Sequence, residues 1–402
     1  MKYLVLLGDG MADLPLPDYD NRTPLEIAVS PQFDALAKKG TVGLVKTVPA
    51  ALPPGSDVAN LAVMGYNPDE YYTGRSPLEA ASIGVDLKPD DYTFRCNLVT
   101  LSDEENYEDR TMIDYSAGEI STAEAAEIIK TIGEKLGTEI MEFHRGISYR
   151  HLLVWHGAKE DFKLTPPHDI SDKKIKEYLP NVPALLDLMK KSSEILKDHP
   201  VNLDRIKRGL RPATSIWIWG EGTKPALSPF KEKYGLNASV LSAVDLVKGI
   251  GKCADMNVVE VPNVTGTIDT DFEGKTNAAI NELKNGADFV YLHFEAPDEC
   301  GHHGDTEGKI KSIEYLNSRV LTHILDAFAE MGEDYTILIM PDHPTPIALK
   351  THTREEVPFL LYRSNDEKDN AGVTYDEKAA AASGVYVEEG HKLLSMIINN
   401  EI

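Results

Sequence analysis

The chain has 402 residues, 42% hydrophobic and 26% charged, a composition typical of a globular protein with two domains. Asp and Glu number 65 against 41 Lys and Arg, giving a net charge of −24, which excludes nucleic acid and anionic membranes as partners. No apolar run approaches the ~20 residues that span a bilayer. Cys96, Cys253 and Cys300 lack the spacing of a disulfide framework. We therefore expect a protein of the reducing cytoplasm.

Short apolar runs alternate with helical patterns at both ends of the chain. The runs are Lys2–Leu7, Asp288–Phe294, Tyr335–Met340 and Val357–Tyr362, and the clearest helical patterns are Lys275–Lys284 and Thr306–Glu330. Continuous apolar runs of this length are typical of strands covered on both faces, as in a parallel sheet. The alternation predicts an α/β sandwich with a mostly parallel sheet.

The middle of the chain has a different pattern. Its predicted elements are the strands Tyr92–Leu101 and Tyr149–Trp155 and the helices Ser121–Leu136 and Pro183–Lys197, the first of these helices opening on a capping box. Thr214–Trp219 is expected to resume the first pattern. We therefore predict a discontinuous first domain, residues 1–86 and 213–402, with an inserted α+β substrate or lid domain over residues 87–212.

Carboxylate and imidazole side chains follow several of the predicted strands. They are Asp9 after the first run, Asp298 and His302 after the second, Asp342 and His343 after the third, and His352 shortly beyond. Each alone is common in turns and helix caps. Together they should converge, because ligands of open α/β sheets bind beyond the carboxyl ends of the strands. Mixed carboxylate and imidazole ligands suit Mn²⁺, Zn²⁺ or Fe, and two clusters allow two ions that polarise a phosphoryl oxygen.

Ser56, in the Pro- and Gly-rich segment 53–57, is either a nucleophile or a simple helix cap. A Ser-His-Asp hydrolase would use the same residue types, but Ser56 lacks the G-x-S-x-G setting of a nucleophile elbow. No GxxxxGK[ST] loop and no GxGxxG after a strand is present, so a nucleotide-binding fold is not indicated. A metal-dependent phosphatase and a non-enzymatic metal-binding protein stay open as alternatives.

Seven segments resemble the archaeal-type 2,3-bisphosphoglycerate-independent phosphoglycerate mutases of the alkaline phosphatase superfamily. They are GDGM (8–11), PPGSDVANLAVMGY (53–66), YYTGRSPLEA (71–80), GKT (274–276), APDECGHHGD (296–305), MPDHPTP (340–346) and HTREEVPF (352–359). The resemblance covers nearly the whole chain. It implies an alkaline-phosphatase-like sandwich that interconverts 3-phosphoglycerate and 2-phosphoglycerate through a phosphoserine, with no nucleotide or bisphosphoglycerate.

The resemblance also implies a role for each site residue. Asp298, His302 and His352 would hold one divalent ion, and Asp9, Asp342, His343 and Ser56 the other, with Mn²⁺ expected and Zn²⁺ or Mg²⁺ as alternatives. Ser56 would be the nucleophile, and Lys275 would approach the transferred phosphoryl group. Arg150, Arg208 and Arg211 are candidates for binding the small phosphorylated substrate, since Arg forms bidentate bonds to phosphate and carboxylate. A bacterial branch proposed as homoserine kinase shares the same centre and is the alternative.

Overall fold

Strands and helices alternate along the 402 residues, all of which the computed structural model describes. The strands are β1 (Lys2–Gly8), β2 (Thr41–Val45), β3 (Asp91–Leu101), β4 (Met112–Asp114), β5 (Met141–His144), β6 (Arg150–His156), β7 (Ser215–Thr223), β8 (Ala238–Leu241), β9 (Asn257–Val258), β10 (Phe289–Phe294), β11 (Tyr335–Met340), β12 (Val357–Arg363) and β13 (Tyr386–Val387). The helices are α1 (Pro24–Ile27), α2 (Pro31–Ala37), α3 (Ser56–Val63), α4 (Pro68–Tyr71), α5 (Ser76–Ser82), α6 (Thr122–Leu136), α7 (Pro183–Lys197), α8 (Pro200–Lys207), α9 (Phe230–Tyr234), α10 (Asp245–Cys253), α11 (Phe272–Lys284), α12 (Ala296–His303), α13 (Thr306–Tyr315), α14 (Thr322–Met331), α15 (Glu377–Ala382) and α16 (Leu393–Ile398). None of the helices combines the length and apolar character needed to cross a membrane.

The first compact unit comprises residues 1–72 and 226–402. Its eight strands have the order β13-β2-β12-β11-β1-β10-β8-β9, and every pairing is parallel except the two that β12 makes with β11 and β2. The predicted α/β class with a mostly parallel sheet is confirmed. The antiparallel direction of β12 differs from the parallel sheet expected for such runs. A continuous apolar sequence indicates burial on both faces and does not fix the direction of a strand.

The core of this unit explains why its strands are apolar throughout. β10 and β12 are buried along their whole length, and β1 and β11 nearly so. One cluster joins strand residues such as Leu6 and Leu292 with Phe272 of α11 and Ile313 of α13. Between α13 and α14 the helix continues as a π-helical segment, Leu316–Leu321, so the pattern predicted over Thr306–Glu330 is helical throughout. The sheet thereby holds the carboxyl ends of β1, β10 and β11 side by side.

The second compact unit comprises residues 73–225 and contains an antiparallel five-stranded sheet. The sheet has the order β4-β3-β6-β5, and β7 pairs with β3. Helices α6 and α7 pack on it through apolar side chains such as Ile128 and Leu185. The capping box predicted at Ser121 is present, since Ser121 Oγ accepts a hydrogen bond from the Glu124 backbone amide and the Glu124 side chain bonds back to the Ser121 amide.

The second unit extends beyond the predicted insert of residues 87–212. The segment Thr214–Trp219 was predicted to return the chain to the first domain. Its residues from Ser215 onward instead belong to β7, which pairs with β3 of the second unit. The reason is that Ile216, Trp217 and Ile218 are buried in the core of the second unit. On the other side, α5 also belongs to this unit, and its Ser76 hydroxyl bonds to Thr93 of β3.

Candidate metal centre and nucleophile

The predicted ligands follow three neighbouring strands of the first unit. Asp9 comes directly after β1, Asp298 lies in the first turn of α12 just beyond β10, and Asp342 lies two residues beyond β11. β1 pairs in parallel with both β10 and β11, so the three strands end at the same edge of the sheet. The structure therefore brings these side chains together, as the order of strands and ligands along the sequence predicts.

Asp298, His302 and His352 form a first group of donor atoms. His302 lies one helical turn after Asp298, with Nε2 3.3 Å from Asp298 Oδ2, and His352 Nε2 lies 3.4 Å from Asp298 Oδ1. The two Nε2 atoms are 2.9 Å apart. Burial alone would raise the pKa of Asp298, but hydrogen bonds from His302 and His352 hold that pKa well below its usual range. The hydrogen bond to Asp298 raises the pKa of His302 to about 9.

Asp9, Asp342 and His343 form a second group, and all three are fully buried. His343 Nε2 lies 3.5 Å from Asp9 Oδ1 and 3.4 Å from Asp342 Oδ2. Burial, reinforced by the charges of Asp342 and Asp298, raises the pKa of Asp9 well above its ordinary value. Asp9 Oδ1 has no hydrogen-bond partner. A buried, unpartnered carboxylate oxygen beside other carboxylates is expected where a cation binds.

The two groups meet at His343. A ring nitrogen of His343 lies within 4.8 Å of one carboxylate oxygen each of Asp9 and Asp342. A ring nitrogen of His343 also lies within 4.8 Å of one ligand atom each of Asp298 and His352. Burial lowers the pKa of His343, which favours the neutral imidazole that a metal requires as ligand. Carboxylate and imidazole donors at this spacing fit divalent cations.

Ser56 lies where the two groups meet. It is the first residue of α3, and its Oγ is 3.1 Å from His343 Nε2. The N-cap residue of α3 is Gly55, and the Ser56 hydroxyl bonds to His343 in the cluster. Asp57, the next residue, accepts a hydrogen bond from the Tyr72 hydroxyl at 2.8 Å. The simple helix-cap interpretation of Ser56 is therefore not what the structure shows.

Gly10 is required by the close approach of two ligand segments. Its φ is +60°, and a Cβ there would lie 2.6 Å from Asp298 Oδ1 and 2.5 Å from Thr345 Oγ1. Its backbone amide donates to Asp342 Oδ1 at 3.1 Å. A side chain at this position would therefore displace Asp298 from the centre.

Lys275 is buried on α11, beside the carboxyl end of β10. Its Nζ donates to the carbonyl oxygen of His293 at 2.7 Å and lies 4.6 Å from the centre of the Phe294 ring. Burial lowers the pKa of Lys275 to about 7. Burial likewise raises the pKa of Glu295 to about 7. The ammonium group thus bonds to a backbone oxygen in this structure, and its predicted contact with a phosphoryl group stays a prediction.

Comparison with known proteins identifies the family of this chain. The family model described as 2,3-bisphosphoglycerate-independent phosphoglycerate mutase matches residues 37–202. A probable 2,3-bisphosphoglycerate-independent phosphoglycerate mutase of Geobacter sulfurreducens is 49% identical over 99% of this chain and 100% of its own. The corresponding mutase of Methanosarcina barkeri is 47% identical over 99% of each chain. The chain belongs to this mutase family.

Solved structures show the same fold. A protein from Pyrococcus horikoshii covers 100% of this mutase-family chain and 98% of its own, at 29% identity and a TM-score of 0.83. The cofactor-independent phosphoglycerate mutase of Thermoplasma acidophilum covers 100% of both chains, at 24% identity and a TM-score of 0.69. The family resemblance stated from the motifs is confirmed.

Three further residues support the candidate centre but are not among those predicted from the sequence. His293 Nε2 lies 3.0 Å from Asp9 Oδ2, the Tyr291 hydroxyl bonds to Asn60, and Asn60 bonds to Asp342. By composition the segment DFVYLHF is a continuous apolar run, as expected of a buried strand. Its Tyr and His stand two residues apart and so face the same side of β10. The spacing of Tyr291 and His293 is the feature of the sequence that could have indicated a polar face on this strand.

The three predicted substrate arginines lie in the second unit and differ in their partners. Arg208 pairs with Glu124 and Asp204, and Arg211 Nη1 lies 2.6 Å from Asp114 Oδ2. Arg150 is exposed at the start of β6, with its guanidinium 5.4 Å from the centre of the Tyr149 ring. Of the three, Arg208 and Arg211 are thus paired with carboxylates, and Arg150 is not.

Proposed function

We propose that this protein interconverts 3-phosphoglycerate and 2-phosphoglycerate by way of a phosphoserine at Ser56. The observation that carries the proposal is the position of Ser56 Oγ, 3.1 Å from Nε2 of His343, a residue with a ring nitrogen within 4.8 Å of ligand atoms in each donor group. The mutase activity itself is that of the family to which the chain belongs. A glycolytic reaction is also consistent with the cytoplasmic location expected from the sequence.

The proposed reaction has two balanced half-reactions. Ser56 Oγ forms a bond to phosphorus while the bond from phosphorus to the C3 oxygen breaks, and the departing oxygen gains a proton as Ser56 loses one. The C2 hydroxyl of the resulting glycerate then takes the phosphoryl group from Ser56, which regains its proton. Covalent storage on Ser56 makes a nucleotide or bisphosphoglycerate unnecessary. Lys275 is proposed to approach the transferred group, and Arg150, Arg208 and Arg211 to bind the phosphate or carboxylate.

We propose that the centre holds two divalent ions, with Mn²⁺ favoured by the mixed donor set and Zn²⁺ or Mg²⁺ as alternatives. Asp298, His302 and His352 would hold one ion, and Asp9, Asp342, His343 and Ser56 the other. The unpartnered Oδ1 of Asp9 supports this assignment. Bound ions would polarise the phosphoryl oxygens and offset the charge that develops during transfer.

The alternatives make different predictions for the same centre. A homoserine kinase would transfer the phosphoryl group to another alcohol, and a phosphatase would transfer it to water. Neither is favoured, because relatives matching this chain over nearly its full length are named as phosphoglycerate mutases.

The test is production of 2-phosphoglycerate from 3-phosphoglycerate by Mn²⁺-loaded protein without bisphosphoglycerate. Parallel reactions offer homoserine with several phosphoryl donors and measure free phosphate. Ser56→Ala should abolish the activity, whereas Ser312→Ala, which removes a buried hydroxyl bonded to the Lys309 carbonyl, should not. Absence of 2-phosphoglycerate, or full activity of Ser56→Ala, would refute the proposal. Anomalous scattering at the manganese edge should show two ions beside Asp298 and Asp342.

A further inference from the structure

Asn60 is a fully buried amide whose hydrogen-bonding groups all have partners at the site. It lies one turn after Ser56 on α3. Its Nδ2 donates to the Ser56 carbonyl oxygen at 2.8 Å and to Asp342 Oδ2 at 2.7 Å. Its Oδ1 accepts a hydrogen bond from the Tyr291 hydroxyl at 2.6 Å. One side chain therefore links the residue that carries the nucleophile to a predicted metal ligand.

The Tyr291 hydroxyl determines which way the Asn60 amide points. Tyr291 is fully buried, and burial together with the charges of Asp342 and Asp9 raises its pKa well above the ordinary value. Tyr291 therefore stays protonated at neutral pH and donates to Oδ1. Both N–H groups of Asn60 are then directed to Ser56 and Asp342. A rotated amide would instead place its oxygen against the Asp342 carboxylate, and would leave buried polar groups unpaired.

Both carboxylate oxygens of Asp342 accept hydrogen bonds from the protein. Its Oδ1 accepts hydrogen bonds from the backbone amides of Gly10 and His343, at 3.1 and 2.9 Å. Asn60 is thus the donor that orients Oδ2. Partners of metal ligands orient the ligands in this way, and their loss typically costs about 10- to 100-fold in metal affinity or activity.

We propose that Asn60 and Tyr291 are positioning residues that hold the start of α3, and with it Ser56, at a fixed place relative to Asp342. The proposal rests on the proposed function, because it assumes that Ser56 and Asp342 act together. Neither Asn60 nor Tyr291 touches the reacting atoms. Their effect is exerted through the orientation of the nucleophile and the ligand.

The decisive variant is Tyr291→Phe, which removes one hydroxyl and leaves the ring. Its matched control is Tyr375→Phe, in the same unit, where the Tyr375 hydroxyl is equally buried and donates to the Pro358 carbonyl oxygen at 3.1 Å. We expect Tyr291→Phe to lower kcat and Mn²⁺ affinity each by about tenfold, with KM changed less than about twofold because substrate is not contacted. Tyr375→Phe should lower thermal stability alone. Equal kcat and Mn²⁺ affinity in the two variants would overturn the proposal.

A second set of variants tests the linkage itself. In an Asn60→Leu background, Tyr291→Phe should have no further effect, because its partner is gone. If Tyr291→Phe lowers kcat as much there as in the wild type, the hydroxyl acts by another route and the proposal is wrong. Should Asn60→Leu not fold, the comparison of Tyr291→Phe with Tyr375→Phe decides alone.

The Mn²⁺ titration separates this inference from the proposed function. If the wild type lacks mutase activity yet binds Mn²⁺, the proposed function fails while the affinity difference between the two Tyr→Phe variants still tests the positioning role. Isothermal titration calorimetry, or the loss of the electron paramagnetic resonance signal of free Mn²⁺, measures that affinity without any substrate. Normal affinity in Tyr291→Phe would then refute the inference by itself.

Discussion

Replacing Lys309 with Met should destabilise the two segments that carry the predicted ligands. Lys309 and Asp13 are both fully buried, with Nζ 2.7 Å from Asp13 Oδ2. Nζ also donates to the carbonyl oxygens of Ala12 at 3.1 Å and of Thr345 at 2.9 Å. Ala12 belongs to the segment after β1 and Thr345 to the segment after β11. One ammonium group thus joins both segments.

The magnitude follows from the unpaired charge that would be left. Removing one partner of a buried ion pair typically costs roughly 3–5 kcal/mol, because the other charge stays buried without compensation. Met occupies a similar volume, so little of this cost comes from a cavity. The double variant Lys309→Met/Asp13→Asn removes the charge and should recover most of the loss. Lys311→Met, on the exposed side of the same helix, should cost less than about 0.5 kcal/mol.

Urea unfolding and amide hydrogen exchange measure the effect globally and locally. All three tryptophans, Trp155, Trp217 and Trp219, lie in the second unit, so tryptophan emission reports that unit and circular dichroism reports both. We expect Lys309→Met to lose protection from exchange in residues 9–16 and 342–350. Unchanged protection in both segments, or an unfolding midpoint equal to that of Lys311→Met, would refute the reasoning.

Three further predictions concern a turn, a buried acid and an arginine. Gly10→Ala should abolish Mn²⁺ binding, whereas Gly332→Ala, with a similar φ of +64° but open space around its Cβ, should cost only about 1–2 kcal/mol in thermal unfolding. Burial raises the pKa of Glu377 from 4.5 to about 7. Its contribution to the free energy of unfolding is therefore present below pH 4.5 and is lost as pH rises through 7, by at most about 3 kcal/mol. Glu377→Gln should flatten this part of the curve of stability against pH, and an unchanged curve would contradict the assignment. Arg150→Gln should raise the KM for 3-phosphoglycerate more than Arg208→Gln, since Arg208 is paired with carboxylates, and equal KM values would argue against a substrate contact by Arg150.

The convergence of the candidate ligands could be predicted from sequence because it depends on few local features. Asp9, Asp298 and Asp342 each follow an apolar strand, and parallel strands end at a common edge. The helix α6 could be predicted because its capping box is local. That these residues hold two ions stays a prediction until metal binding is measured.

Other features could not be predicted because they depend on distant partners. The pairing of β7 with β3 joins residues more than a hundred positions apart. The local sequence TSIWIW indicates a strand but not the strand with which it pairs. Asn60 has a similar limitation: on sequence alone it is a polar residue in an apolar helix, and its partners Asp342 and Tyr291 are distant along the chain. Strand pairing and buried hydrogen bonds are both set by tertiary structure.

Strand β10 shows how the candidate ligands constrain the residues around them. Val290 and Leu292 face the main core, while Tyr291 and His293 alternate with them and face the other way. His293 Nε2 lies 3.0 Å from Asp9 Oδ2, and its Nδ1 lies 3.1 Å from the Ser242 hydroxyl. Buried polar groups need partners, so an apolar face on β10 would leave Asp9 Oδ2 and the Asn60 oxygen unpaired. Polar residues two apart in a buried strand next to a predicted ligand are therefore a consequence of that ligand's burial, and they indicate which strand supports it.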